Sequence, residues 1–277
     1  MNLTMYSLFT EAVMEAGFSG ASKKALSLGF SSAEFLINAI EPPAKPLFSS
    51  VEDAKEAGRI FKQQGLSLAC YSVFANLYKS PRTVEELQRH AEYAAAIGSP
   101  YLHHTSLPWF ESPHNLPDYD EAIEIAIDAA EEVAKHAAKF GVTCIYEDQG
   151  FFINGIEGYR TFYSEMKRRC SNVAVCGDAG NSLFADLPGA EFFEEFSDDI
   201  VHVHIKDYFR KESPTCPGDG WFETRSGAWL HDAPIGEGIA DIDACMAILK
   251  KSGYRGAVAI ETEYIEDAVR YMKKYDF

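Results

Sequence analysis

Eight times along the chain a short apolar run rich in β-branched residues is followed by a stretch with helical periodicity. The strand-like runs cover 2–8, 33–38, 66–74, 101–105, 142–147, 173–178, 200–206 and 257–261. The helix-like stretches cover 10–28, 50–64, 84–97, 118–140, 158–169, 189–196, 241–251 and 265–275. Strands that alternate with helices of ten or more residues are joined by right-handed crossovers and therefore run parallel. Eight such units close into an α/β barrel, the (β/α)8 or TIM barrel. An open doubly wound sheet is the competing arrangement, but it gives no reason for groups on the last four strands to converge. At 277 residues the chain matches the roughly 250 residues such barrels use as a single domain, so one domain over 1–277 is expected.

Charge and cysteine usage narrow the class further. There are 25 basic and 42 acidic residues, a formal charge of −17, which disfavours nucleic acid and anionic membranes as partners. The six cysteines, at 70, 144, 170, 176, 216 and 245, form no C-x-x-C pair, and several lie in apolar runs. They are expected to be reduced and structural. The first residues lack a basic segment followed by an apolar stretch, and nowhere is there an uncharged apolar run long enough for a membrane span. A cytoplasmic protein is the expectation.

The last four strand-like runs end on chemistry-bearing side chains: Val-Thr-Cys-Ile-Tyr-Glu147, Val-Ala-Val-Cys-Gly-Asp178, Ile-Val-His-Val-His204 and Ala-Val-Ala-Ile-Glu261. Groups at the carboxyl ends of barrel strands face a pocket, where active sites of this architecture are built. Three carboxylates and an imidazole repel one another unless a cation neutralises them, and oxygen-rich donors suit one divalent ion, Mn²⁺, Mg²⁺, Co²⁺ or Zn²⁺. Glu147, Asp178, His204 and Glu261 are therefore the expected metal ligands. Four protein ligands leave positions open where vicinal oxygens of a small carbohydrate could bind.

Other positions join the candidate site. One of His103 and His104, at the end of the fourth strand-like run, must point inward, and His104 is counted as a substrate contact; Trp109 could stack on a sugar face. The stretch 208–240 has no sustained period but holds Trp221, Phe222, Trp229 and several Pro and Gly residues. So long a loop in a compact domain usually has a function, and a lid or rim over the pocket is expected. Gly236-Glu-Gly238 alone is a weak phosphate signal, with an acidic centre that argues against one.

These signals together resemble the sugar phosphate isomerase/epimerase superfamily, the xylose isomerase-like or AP endonuclease family 2-like barrels. The resemblance spans nearly the whole chain. It rests on Tyr146-Glu147-Asp148, Gly177-Asp178-Ala-Gly-Asn181, His202-Val-His204-Ile-Lys206-Asp207, Gly236-Glu-Gly238-Ile-Ala-Asp241-Ile242 and Ile260-Glu261-Thr262.

The resemblance implies a metal-dependent isomerase or epimerase of a small keto sugar or cyclitol, working through a metal-stabilised enediolate. Glu147 and Glu261 would take and return the proton. A keto-cyclitol dehydratase is the nearest alternative, because the same intermediate can eject a β-hydroxyl; a non-catalytic sugar-binding barrel is another. His204 takes the ligand place in the His-x-Lys-Asp pattern, and His202 becomes a hydrogen-bonded residue deeper in the barrel. Lys206 balances pocket charge or binds substrate, and Arg210 stands where family members often place a substrate-contacting cation. The family often has His three residues after the strand-six Asp; here it is Asn181, which can hydrogen-bond a hydroxyl but cannot carry a proton at neutral pH. The sugar, its phosphorylation, the native metal and any homo-oligomer are left open.

Overall fold

A computed structural model describes residues 2–40, 46–78, 81–108, 113–114 and 116–275. The chain begins β1 (Asn2–Met5), α1 (Phe9–Ser27), β2 (Ser32–Asn38), α2 (Val51–Gln64), β3 (Ser67–Phe74), α3 (Pro81–Ile97), β4 (Tyr101–His104) and α4 (Tyr119–Ala138). It continues β5 (Thr143–Tyr146), α5 (Gly155–Arg169), β6 (Val173–Asp178), a 3-10 turn (Asn181–Ala185), α6 (Gly189–Phe196) and β7 (Ile200–Ile205). After three further strands come α7 (Ile242–Ser252), β11 (Ala257–Ile260) and α8 (Ile265–Met272). Strands β1 to β7 and β11 pair in parallel and close in the order β1-β11-β7-β6-β5-β4-β3-β2. This is the (β/α)8 barrel expected from the alternation.

The sequence makes these elements for ordinary local reasons. Ser50 caps α2 by accepting from the Asp53 N–H at 3.1 Å, and Asp118 caps α4 by accepting from Glu121 N–H at 3.0 Å. Helix α1 departs from the smooth amphipathic run predicted: Gly17 breaks it with φ 67° and ψ 173°, a conformation that glycine enters without steric cost. The strands are buried on both faces, as their near-continuous apolar runs require.

Among the described residues two apolar regions result. The larger fills the shell between barrel and helices, with Phe9, Phe35 and Phe61 in mutual ring contact at 5.2–6.0 Å. A separate cluster of Cys70, Ile145, Ala174 and Cys176 joins β3, β5 and β6. Because β3 and β6 are not neighbours in the barrel, that contact runs through the barrel interior. The cysteines are free thiols, and all but Cys216 are buried.

The stretch 208–240 is more ordered than its sequence suggests. It holds β8 (Asp207–Lys211), β9 (Trp221–Glu223) and β10 (Trp229–Ala233), an antiparallel sheet in the order β8-β10-β9. Trp229 faces Lys211 and His231 faces Phe209 in the register. The three strands are short and carry charged and exposed residues, so no hydrophobic alternation announces them; their order comes from cross-strand pairing. Among the described residues, no helix is long and apolar enough to cross a membrane.

Candidate metal centre and pocket

Each of the four expected ligands is delivered by the end of a strand. Asp178 is the last residue of β6, His204 the penultimate residue of β7, and Glu147 and Glu261 directly follow β5 and β11. One donor atom from each of Glu147, Asp178, His204 and Glu261 lies within 4.8 Å of the others. His204 presents Nδ1 to this cluster, 3.0 Å from Glu147 Oε2, 3.6 Å from Glu261 Oε2 and 3.9 Å from Asp178 Oδ2. Lys206, two residues further along the same face of the strand, sets its ammonium 3.0 Å from Asp178 and 3.1 Å from Glu261.

The electrostatics describe a donor set with too little positive charge. Burial pushes the Glu261 carboxyl up to about 7, against the pull of Lys206 and with the repulsion of Asp178 adding to it. Burial likewise raises Asp178 despite Lys206. Burial opposes charge on Glu147 too, but His103, His204 and Lys206 hold it below the usual carboxylate range. Three carboxylates and one imidazole nitrogen converging in this way fit a divalent cation.

Glu147 and Glu261 of the cluster line a cavity of about 450 Å³ that also reaches Tyr6, His103, Gln149, Asn181 and Asp232, while Asp178 and His204 are fully buried beside them. Three buried polar atoms of the cavity lining have no hydrogen-bond partner among the described residues, His103 Nε2, Gln149 Oε1 and Asn181 Nδ2. Such atoms are costly unless a ligand or water satisfies them. A larger groove, about 680 Å³ and walled by Met14, Leu47, Phe48 and Tyr93, opens outside β2 and shares Leu36 and Asn38 with the site cavity.

The family model described as a xylose isomerase-like TIM barrel matches residues 22–275. The chain belongs to that family. Among solved structures, this xylose isomerase-like barrel is similar to 3-keto-D-glucoside 4-epimerase from E. coli, with a TM-score of 0.73 and 16% identity over 99% of this chain and 100% of that one. The probable 3-DHS dehydratase of Bacillus anthracis gives a TM-score of 0.72 at 11% identity, covering 100% of both chains. The IOLI protein, solved with a bound zinc atom, gives 0.69 at 18% identity over 99% of this chain and 96% of that one. At these identities the likeness establishes the fold. No curated protein matches the sequence.

Not every candidate of the sequence reaches the pocket of this xylose isomerase-like barrel. Asn181 and Lys206 line it. His104 does not: its Nδ1 lies 3.2 Å from Thr105 O and its ring packs edge-on against Tyr146 at 5.1 Å. Its neighbour His103 faces the cavity instead, because β4 alternates its side chains. Burial lowers His103 to about 4 and leaves its imidazole neutral.

Arg210 lies on β8 and pairs with Asp186 at 2.9 Å and Glu212 at 2.9 Å, so it braces the lid sheet. Trp109 lies outside the described residues.

The lid is pinned at several points. Asp186 also accepts from Ser226 N–H and Oγ, each at 2.7 Å, and Arg225 donates to Phe151 O at 3.0 Å. Asp207 accepts from the backbone N–H groups of Tyr208, Gly236, Gly238 and Ala240, each at 2.9 Å. A Cβ on Gly238 would stand 2.2 Å from Asp207 Oδ1. The glycine pair thus wraps the chain's own carboxylate, which explains the loop without a bound phosphate. Tyr208, Phe222 and Asp232 of the lid sheet line the cavity.

Sequence reasoning missed the residues beneath and beside the cluster. Tyr6 stacks on His204 with ring centroids 4.7 Å apart and an interplanar angle of 24°. Gln149 donates to Glu147 Oε1 at 2.6 Å. Glu34, fully buried in β2, accepts from His202 Nε2 at 2.7 Å, the partner expected for a histidine deeper in the barrel. Burial opposes charge on Glu34, yet His204 and His202 hold its carboxyl well below the usual range. Its one outward sign in the sequence is a charged residue inside the apolar run Ser-Ala-Glu-Phe-Leu-Ile.

Proposed function

We propose that this chain is a metal-dependent isomerase or epimerase of a small keto sugar or keto-cyclitol. The observation that carries the reading is the convergence of Glu147, Asp178, His204 and Glu261 at a cavity that Glu147 and Glu261 line together with unpartnered His103 and Asn181 nitrogens. Glu147, Asp178, Glu261 and His204 through Nδ1 would hold one divalent ion, Mn²⁺, Mg²⁺, Co²⁺ or Zn²⁺. When bound, such an ion supplies positive charge that draws electron density from a carbonyl and the hydroxyl beside it. The similar folds support the class: one is a sugar epimerase, and another was solved with zinc.

The chain's own residues do the rest. Glu147 and Glu261 come from non-adjacent strands and reach the substrate from different directions. One carboxylate takes the proton from the carbon next to the carbonyl, and the other returns a proton to the neighbouring position or the opposite face. Gln149 orients Glu147 through its 2.6 Å hydrogen bond, while Lys206 holds Asp178 and Glu261 together and offsets their repulsion. Neutral His103 and the Asn181 amide bind substrate hydroxyls. Tyr208 and Phe222 of the lid exclude bulk water from the reacting carbon.

The test is exchange of carbon-bound hydrogen with D₂O in the metal-loaded protein, over a panel of ketoses and inososes. The expected result is metal-dependent incorporation of one deuterium into one substrate class, with an isomeric product. Loss of water to a conjugated product would assign a dehydratase instead. No exchange and no product with any member of the panel, despite a bound metal, would contradict the enzyme reading.

A further inference from the structure

Below the four-donor cluster, inside the barrel, lies a second polar layer that the proposed chemistry does not use directly. Its centre is Glu34, fully buried and in the middle of β2. His202 Nε2 donates to Glu34 Oε2 at 2.7 Å, His204 Nε2 donates to Oε1 at 3.0 Å, and Ser72 Oγ donates to Oε1. Ser72 Oγ is in turn 3.1 Å from His103 Nδ1.

A carboxylate buried with only imidazole and hydroxyl partners is expensive to desolvate, and an apolar residue would fill the same volume at less cost. What Glu34 gains for the chain is its reach to His204. An imidazole that binds an ion through one nitrogen must carry its proton on the other, and the group that accepts this proton decides which nitrogen is which. Here the acceptor behind His204 is at Nε2, while Nδ1 faces Glu147, Glu261 and Asp178 at 3.0, 3.6 and 3.9 Å. Tyr6, stacked on the ring, limits its rotation.

We infer that Glu34 is a positioning residue: it holds the His204 Nε2–H, points Nδ1 at the three carboxylates, and so sets the affinity of the site for a divalent ion. The inference rests on the reading that these four residues hold such an ion. Glu34, His202 and His204 also bring donor atoms together closely enough to bound an ion themselves, and metal stoichiometry separates that arrangement from a positioning role.

The experiment titrates Mn²⁺ into metal-free wild type, Glu34→Gln and Ser72→Ala by calorimetry, with circular dichroism to establish that each variant is folded. Wild type is expected to bind one ion per chain, and Glu34→Gln to bind it about 10–100-fold more weakly, the usual cost of losing such a partner. Ser72→Ala, which removes a donor to Glu34 but leaves the His204 contact, is expected to lose less. The Co²⁺ absorption spectrum should shift in Glu34→Gln and stay near wild type in Ser72→Ala.

A second readout needs no variant at Glu34. In Zn²⁺-loaded wild type with ¹⁵N-labelled histidine, His204 should carry its proton on Nε2.

A folded Glu34→Gln with wild-type affinity and spectrum overturns the inference and leaves the functional proposal standing. So does a His204 proton on Nδ1. Two ions per chain, one of them lost in Glu34→Gln, would make Glu34 a ligand and overturn its positioning role. A wild-type chain that takes up no ion removes this inference and the metal site together.

Discussion

The two halves of the barrel do different work around one pocket. The second half supplies the candidate ligands at its strand ends, Glu147, Asp178, His204 and Glu261. The first half adds contacts that steady them from beneath: Tyr6 stacked on His204, Glu34 bonded to its far nitrogen, and His103 beside Glu147 at 3.7 Å, alongside the second half's own Gln149 and Lys206. The difference teaches that a site of this kind is a charged rim standing on a buried polar layer. The rim can be read as chemistry; the layer beneath makes that chemistry geometrically specific.

The largest effect should come from breaking the second half. Glu147→Gln and Glu261→Gln are expected to lower metal-dependent hydrogen exchange by about 10²–10⁴-fold, the range for a positioned general acid or base. Turnover is measured beside metal content. A non-catalytic sugar binder would have no turnover to lose.

Next comes the junction between strand β7 and the lid. Asp207→Ala leaves the backbone N–H groups of Gly236, Gly238 and Ala240 without their acceptor. Hydrogen bonds to a charged group contribute roughly 1.5–3 kcal/mol each, and water can replace the acceptor at the part-buried Gly236 and Gly238, so urea denaturation should show a loss of about 3 kcal/mol. An unchanged midpoint and slope would mean that the loop does not depend on this carboxylate.

In the first half, His103→Ala and His104→Ala should separate. His103 faces the cavity and His104 does not. Removing His103 is expected to raise KM about tenfold, the worth of roughly 1.4 kcal/mol in a substrate hydrogen bond; removing His104 should lower thermal stability with KM little changed. Equal KM values in both variants would contradict the orientation of β4.

The smallest effect is expected at the lid brace. Arg210→Ala should cost at most about 1 kcal/mol, since ion pairs this exposed contribute little, with kcat nearly unchanged. Burial opposes charge on Asp186, but its bonds to Ser226, Thr224 and Arg210 lower its pKa below the ordinary 3.8. A carboxyl lowered on folding stabilises the lid above its unfolded value, and that contribution is lost as pH falls through the folded one. Proteolysis of the 208–240 stretch should therefore accelerate below about pH 4, and Asp186→Asn should show the acid-labile behaviour at neutral pH. A wild type whose cleavage does not change with pH would remove Asp186 from the brace.

The strand-helix alternation made the barrel legible, and charged residues closing apolar runs made Glu147, Asp178, His204 and Glu261 stand out. The lid sheet was illegible because its strands are short and held by cross-strand pairing rather than by a buried face. Glu34 was hidden for the opposite reason: one charge in a buried apolar run gives no hint of which imidazole it meets across the barrel. Arg210 stands at a position the family resemblance marked for substrate, yet the fold turns it to Asp186. The sequence points to His104 where the fold turns His103 inward, because strand register, which decides the inward residue, is a tertiary property.

The most direct test of the metal site is a crystal structure of the protein soaked in Mn²⁺, with anomalous data collected at the manganese edge. One strong peak per chain is expected, bounded by Glu147, Asp178, Glu261 and the Nδ1 of His204. A peak seated instead between Glu34 and His202, or no peak in a chain that retains this pocket, would contradict it.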